Sequence, residues 1–234
     1  ASQHRMCAMR AESESESEPA PHPAASARRA VAGPAALPLR WHTPAAWAPA
    51  ALVEPLALLA DHAHLERKAA SNALDLLTRW GGAADASEWV RLLAAVARDE
   101  TRHLQAVTRL LAQRGGTLPR VHRNSYAAAL HGHIRRGDGT RELLDRLLVA
   151  ALIEARSCER FALLAGVDAD PALAAFFAAL HGSERGHYRV FLRLAGDVVT
   201  APERDRRWFD WLDIEAAIIA REAPGPRIHS GPPR

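Results

Sequence analysis

Four long runs of this chain repeat apolar residues at three- and four-residue steps, and each run is interrupted once by a glutamate on its apolar side. Around Glu66 stand Leu59, Ala63, Ala70 and Ala73; around Glu100 stand Leu93, Val96, Ala97, Leu104 and Val107. Glu154 has Leu147, Ala150, Ala151, Cys158 and Phe161, and Glu184 has Phe177, Leu180, Tyr188 and Phe191. At 100° per residue these offsets put each acid in the middle of the face a helix would bury. Four helices that each bury one carboxylate cannot form an ordinary apolar bundle. An ionised carboxylate in such an interior is costly, and four together repel one another.

Something cationic has to answer them, and no lysine or arginine lies at matching inward offsets. Two histidines do: His103 and His187 each follow an inward glutamate by three residues, on the same helix face. One glutamate from each of two helices, with Glu-x-x-His from each of the other two, is the ligand pattern of a di-iron or di-manganese bundle. Four negative charges balance two divalent cations, and an oxygen-rich set with imidazole suits iron, with manganese as the alternative, better than zinc. The metal ligands expected are therefore Glu66, Glu100, His103, Glu154, Glu184 and His187. The spacings agree: 34 residues from Glu66 to Glu100 and 30 from Glu154 to Glu184, as in two similar helical hairpins.

The punctuation fits an all-α fold. Ala and Leu make up most of an apolar share of 48%, and both favour helix. Helices are expected over about 50–80, stopped at Gly81-Gly82, and over about 87–113, capped by Ser87 or Asp85 and ended by Gly115-Gly116. A short one follows over 124–135, then long ones over 140–165 and 171–195, the latter opened by Asp170-Pro171. A last helix over 202–221 carries Trp208 and Trp211, read as packing residues. The organisation expected is a disordered N-terminal extension over 1–38, a helical domain over 39–223 and a tail over 224–234.

Neighbouring polar residues receive other roles. Glu159 lies roughly 140° round the helix from Glu154 and is expected to pair with Arg156 or Arg160, though it is the alternative third carboxylate. His62 and His64 bracket the inward face and are expected at the surface or supporting a ligand. His181, Tyr188 and Cys158 are read as packing residues.

The formal net charge is +3 and the isoelectric point 9.4, compatible with a nucleic-acid partner. Two cysteines give neither a disulfide framework nor a zinc pattern. With no membrane-length apolar run and no signal-like leader, the reading is a soluble cytoplasmic protein with no membrane partner.

The stretch Asp61-His62-Ala63-His64-Leu65-Glu66-Arg67-Lys68-Ala69-Ala70-Ser71, the string Ile153-Glu154-Ala155-Arg156-Ser157-Cys158-Glu159-Arg160-Phe161, and the paired Glu-x-x-His motifs resemble the MiaE-type tRNA hydroxylases. The resemblance runs from about Leu39 to Ser230. It implies a ferritin-like four-helix bundle with extra helices between its hairpins and at the C-terminal end. It also implies two iron ions, dioxygen as co-substrate, and hydroxylation of the isopentenyl group of 2-methylthio-N6-isopentenyladenosine in tRNA. A separate electron donor, such as a reductase or ferredoxin, is implied because the chain has no flavin or nicotinamide fingerprint. A monomer is expected. Candidate tRNA contacts are Arg114, Arg120, Arg123, Arg135 and Arg136, in a stretch without acidic residues, with Arg204, Arg206 and Arg207 as a weaker second group. The competing readings are another di-iron oxidase or oxygenase acting on a small molecule, and an iron-storage bundle.

Overall fold

The computed structural model describes residues 37–80, 86–167 and 170–233, and all regular structure among them is helical. The expected extension falls outside the described residues except for Leu37 and Pro38, and so do Gly81, Gly82 and Asp85. Seven helices follow in order: α1 Trp47–Ala51, α2 Pro55–Trp80, α3 Ala86–Gln113, α4 Ser125–Gly132, α5 Gly139–Ala165, α6 Pro171–Val198 and α7 Ala201–Ile219.

The helix ends have local causes. The first long helix starts at Pro55 rather than near residue 50, and α1 stands before it as a separate turn. Proline has no N–H and disfavours a helical residue before it, so it opens a helix more readily than it continues one. Leu56, in the first turn of α2, is 39% exposed. Gly115 at φ 79° ends α3, with the Gly116 N–H bonded to the Leu111 carbonyl at 2.9 Å. Asn124 caps α4 by accepting from the Ala127 N–H at 3.0 Å. Asp170 caps α6 in the same way through Leu173, with Pro171 at the first position. Ser87 lies inside the first turn of α3, since that helix begins at Ala86.

α2 packs along α3 and α5 along α6, two hairpins forming a four-helix bundle. The buried apolar residues fall into two clusters. One holds Ala73 and Leu76 of α2, Trp89 to Ala97 of α3, Leu143 to Ala155 of α5 and Phe191 to Ala195 of α6. The other holds Leu58 to Ala63, Val107 and Leu111, Phe161 and Leu164, and Leu173 to Leu180 of the same four helices. The four glutamates lie where each helix passes from one cluster to the other, so the bundle contains a polar layer between two apolar ones. The order of the clusters along each helix makes α2 antiparallel to both α3 and α5.

Buried charges fasten the extra helices to this bundle. Arg156 of α5, fully buried, makes a two-pronged contact with Glu215 of α7, at 2.7 and 2.9 Å, and reaches the Trp41 carbonyl at 2.8 Å. Tyr126 of α4 donates to the same Glu215 at 3.1 Å. Asp145 of α5 collects Arg135, Arg207 and the Trp211 indole N–H. Trp208 and Trp211 are buried packing residues. The segment expected as a tail folds back instead: Ile228, His229 and Ser230 are buried, with the Ile228 N–H bonded to Asp61 at 2.8 Å. Among the described residues no helix is long and apolar enough to cross a membrane.

Candidate metal centre

All six residues singled out by periodicity converge in the middle layer. Potential ligand atoms of Glu66, Glu100, His103 and Glu184 lie within 4.8 Å of one another, and so do those of Glu100, Glu154, Glu184 and His187. Two groups of four share Glu100 and Glu184. Each group adds one further carboxylate and one imidazole. A mutual separation of this size is about twice a metal–ligand bond of roughly 2.1 Å, as expected for atoms placed round a cation.

Of the polar contacts within the layer, His187 Nδ1 to Glu184 Oε2 at 3.3 Å has the alignment of a hydrogen bond, and several others do not. The His187 Nδ1 lies 2.7 Å from Glu100 Oε1, yet that oxygen has no hydrogen-bond partner. His103 Nδ1 stands 3.3 Å from Glu184 Oε1, 3.5 Å from Glu66 Oε2 and 3.6 Å from Glu100 Oε2, and both it and Glu184 Oε1 are unpaired buried atoms. Orphaned buried polar atoms are rare in proteins, and their concentration at one point calls for a ligand they share. The donor set of four carboxylates and two imidazoles fits two divalent ions of the iron or manganese kind.

The electrostatics describe the same demand. Burial, reinforced by Glu184 and Glu66, pushes the Glu100 carboxyl up to about 8. Burial and the neighbouring Glu184 and Glu100 charges push Glu154 well above the usual carboxylate range. Desolvation works against the imidazolium of His103, but contacts with Glu100, Glu184 and Glu66 prevail and raise it to about 12. Without cations the layer would have to hold protons. With two divalent ions its carboxylates can all be ionised.

The residues around the six are equally specific. His62 is fully buried, contacts Glu66 through Nε2, and packs against Phe161 at 4.9 Å between ring centroids. Desolvation holds its imidazole down at about 4, so it is neutral. His64 is buried as well, its Nε2 donating to the Pro119 carbonyl at 2.8 Å, so neither histidine is a surface residue. Glu159 stands apart from the layer: it accepts from the Thr43 backbone at 3.2 Å and hydroxyl at 2.5 Å, and pairs with Arg156. Cys158 is buried, and Tyr188 packs beside Trp208.

A pocket of about 840 Å³, counting its open mouth, runs over Glu66, Glu100, Glu154 and Glu184. Leu65, Ala69, Val149, Ala150, Ile153 and Phe161 supply apolar wall, and the Asn124, Ala127 and His131 face of α4 roofs it. Asn72 of α2 and Arg146 of α5 belong to one end, because these helices are antiparallel and the two residues lie about 9 and 12 Å along them from the glutamate layer. The tail's His229 enters the lining, between Asn124 at 3.4 Å and the Ser157 hydroxyl at 3.2 Å, with its ring stacked on Tyr126. Its partners lie 72 and 105 residues away, so no local pattern announces it.

The candidate RNA-contacting arginines divide. Arg114 is held by Asp170 at 2.5 and 3.0 Å, and Arg135 by Asp145 at 2.8 and 2.9 Å. Arg120 and Arg123 are exposed and make no ion pair among the described residues; Arg136 is exposed, with its guanidinium bonded to the His131 carbonyl at 3.4 Å. In the second group Arg207 is committed to Asp145 and Arg204 pairs with Asp205.

Residues 32–230 match the family model described as tRNA-(MS[2]IO[6]A)-hydroxylase (MiaE). The chain belongs to the MiaE family. A Pseudomonas putida relative, named tRNA 2-(methylsulfanyl)-N(6)-isopentenyladenosine(37) hydroxylase, is 36% identical over 198 residues, covering 82% of this chain and 91% of its own. A Salmonella typhimurium protein of the same name is 33% identical over 137 residues, 58% of this chain and 49% of its own. Among solved structures, a Synechococcus protein described as having aldehyde deformylating oxygenase activity is 32% identical with a TM-score of 0.77, covering 83% of this chain and 96% of that one. MiaE membership and this structural likeness agree with the bundle and with the expectation drawn from its motifs.

Proposed function

We propose that this MiaE-family chain is a di-iron tRNA hydroxylase, acting with dioxygen on the isopentenyl group of 2-methylthio-N6-isopentenyladenosine. The observation carrying the proposal is the pair of four-residue groups that share Glu100 and Glu184 on the wall of a pocket. Glu66 and His103 would complete one ion's ligands and Glu154 and His187 the other's, with Glu100 and Glu184 serving both. When bound, a ferrous pair supplies the means to activate dioxygen for insertion into an unactivated C–H bond.

The chain's own part is binding, orientation and dryness. Ile153, Val149 and Phe161 offer an apolar surface to an isoprenoid side chain beside the glutamate layer and keep water from it. His229 is neutral, since burial and the Arg160 and Arg156 cations keep it well below its ordinary value. Its Nδ1 accepts from the Asn124 amide, so Nε2–H donates to Ser157 and leaves that hydroxyl proton free for a polar atom of the occupant. Arg120, Arg123 and Arg136 remain for RNA phosphates, and an external reductase or ferredoxin supplies electrons.

The structural likeness to an aldehyde deformylating oxygenase favours one second reading, a small aldehyde as substrate. The polar lining, with Lys68, Asn72, Asn124 and Arg146, suits a nucleotide better than a fatty chain. The deciding experiment incubates iron-loaded protein, a chemical or enzymatic reductant and oxygen with tRNA carrying the methylthiolated base. Nucleosides are then read by mass spectrometry. A gain of 16 Da on the isopentenyl group is expected. Unchanged nucleosides, with alkane released from an added aldehyde, would transfer the assignment to the second reading.

A further inference from the structure

The chain has 30 cationic residues of the lysine and arginine type, and Lys68 is its one lysine. It lines the pocket, two residues beyond Glu66. Lysine and arginine are not interchangeable there: an ammonium is a compact point charge with three rotatable donors, whereas a guanidinium is a broad planar fork. A chain that uses arginine everywhere else has a compact cation at this one wall.

Its surroundings hold it in place. Lys68 Nζ donates to His122 Nδ1 at 2.9 Å, and His122 Nε2 donates to Asp61 Oδ1 at 2.7 Å. The other Asp61 oxygen takes the Ile228 N–H of the returning tail. The His122 ring stacks on His64 at 4.7 Å and 8°, and His64 in turn holds the Pro119 carbonyl. His122 and Asp61 are therefore each held from two sides, and Lys68 is held by His122. With Nδ1 facing the ammonium and Nε2 facing the carboxylate, the His122 ring stands between Lys68 and Asp61, so Asp61 meets Lys68 only through that ring. Among the described residues no carboxylate contacts Lys68 directly, and two of its N–H bonds are left over. The loop that supplies His122 also carries the exposed Arg120 and Arg123 on either side.

We propose that Lys68 binds a backbone phosphate of the RNA next to the nucleoside whose side chain enters the pocket, with His122 and Asp61 as positioning residues that aim it. This rests on the reading of the site as an RNA-modifying centre and specifies how that centre grips its substrate. Arg120 and Arg123 would follow the same strand outward. The relay also ties the loop to α2 on both sides of Glu66, through Asp61 and Lys68, so the grip on the phosphate and the metal layer share one rigid helix.

The test uses the full chain loaded with iron and a hairpin RNA carrying 2-methylthio-N6-isopentenyladenosine. Lys68→Met should raise KM about tenfold with kcat little changed, and should lower the slope of log affinity against log salt by about 0.7, the loss of one single-strand phosphate contact. Lys68→Arg should not restore wild-type KM, and His122→Phe should raise KM while leaving the salt slope closer to wild type. Iron content and melting temperature of each variant identify any that misfold. An unchanged KM and salt slope in Lys68→Met would overturn the proposal, as would a loss confined to kcat. Affinity and salt slope for the unmodified hairpin, read by fluorescence anisotropy, do not depend on turnover. They judge the Lys68 contact even if the wild-type protein hydroxylates nothing, a result that would instead remove the hydroxylase reading.

Discussion

His62 and Glu66 stand one turn apart on α2 and touch through the imidazole Nε2 and a carboxylate oxygen, both shut off from solvent. The ring is neutral at ordinary pH because burial disfavours its charge, so it contacts Glu66 as a dipole and leaves that carboxylate's charge for a cation. Groups that orient a metal ligand in this way are commonly worth ten- to a hundredfold in metal affinity. His62→Ala is expected to weaken iron binding by about that factor while the helical content is kept. Iron titration followed optically, alongside circular dichroism, measures both. Unaltered affinity would mean that His62 is only a packing residue between Phe161 and Phe177.

Glu154 and Glu159 lie on one helix, five residues apart, and the structure gives them different company. Glu154→Ala should cut iron content and activity together. Glu159→Ala should keep iron and lower stability by about 2 kcal/mol, since Thr43 and Arg156 lose a partner. Metal analysis and denaturant melts of the two variants separate the roles. Full iron in Glu154→Ala would move the ligand to Glu159.

The difference between these two glutamates was readable from the sequence because it depends only on helical angle. So were the bundle, its six inward polar groups, and the ends marked by Gly115 and by Asp170-Pro171. What escaped were partners distant along the chain. Asp61 meets Ile228 across 167 residues, Arg114 meets Asp170 across 56, and His229 meets Asn124 across 105. Periodicity reports which face of a helix is buried, never what packs on it. That is why a stretch rich in arginine looked uniformly free when Arg114 and Arg135 are bound, and why the final segment looked like a tail.

Asp145 gives a pH dependence with a defined sign. Desolvation would raise its pKa, but hydrogen bonds from Arg207 and Arg135 outweigh that and hold it at about 2, below the value of an unfolded aspartate. A carboxyl depressed on folding stabilises at pH values above its unfolded pKa, and the contribution disappears as pH falls through the folded one. About 2 kcal/mol should therefore be lost between roughly pH 4 and pH 2. Asp145→Asn should be less stable at neutral pH and show a flatter acid limb in denaturant melts. An unchanged limb would place the acid sensitivity elsewhere.

Among the described residues Arg120, Arg123 and Arg136 make no ion pair whereas Arg114 and Arg135 do, and the two groups should respond differently. Replacing the first three by alanine should lower RNA affinity and its salt dependence at constant melting temperature. Arg135→Ala should cost about 2 kcal/mol, because it strips a partner from buried Asp145. Filter binding at several salt concentrations with parallel thermal melts reads both effects. Unchanged affinity and salt dependence in the triple variant would put the RNA on another face.

All of this depends on two ions lying between six side chains. Crystals of iron-reconstituted protein, measured with X-rays above and below the iron absorption edge, test that most directly. Two anomalous peaks per chain are expected, one amid Glu66, Glu100, His103 and Glu184 and one amid Glu100, Glu154, Glu184 and His187. A single peak, or iron bound away from these residues in an active protein, would contradict the account.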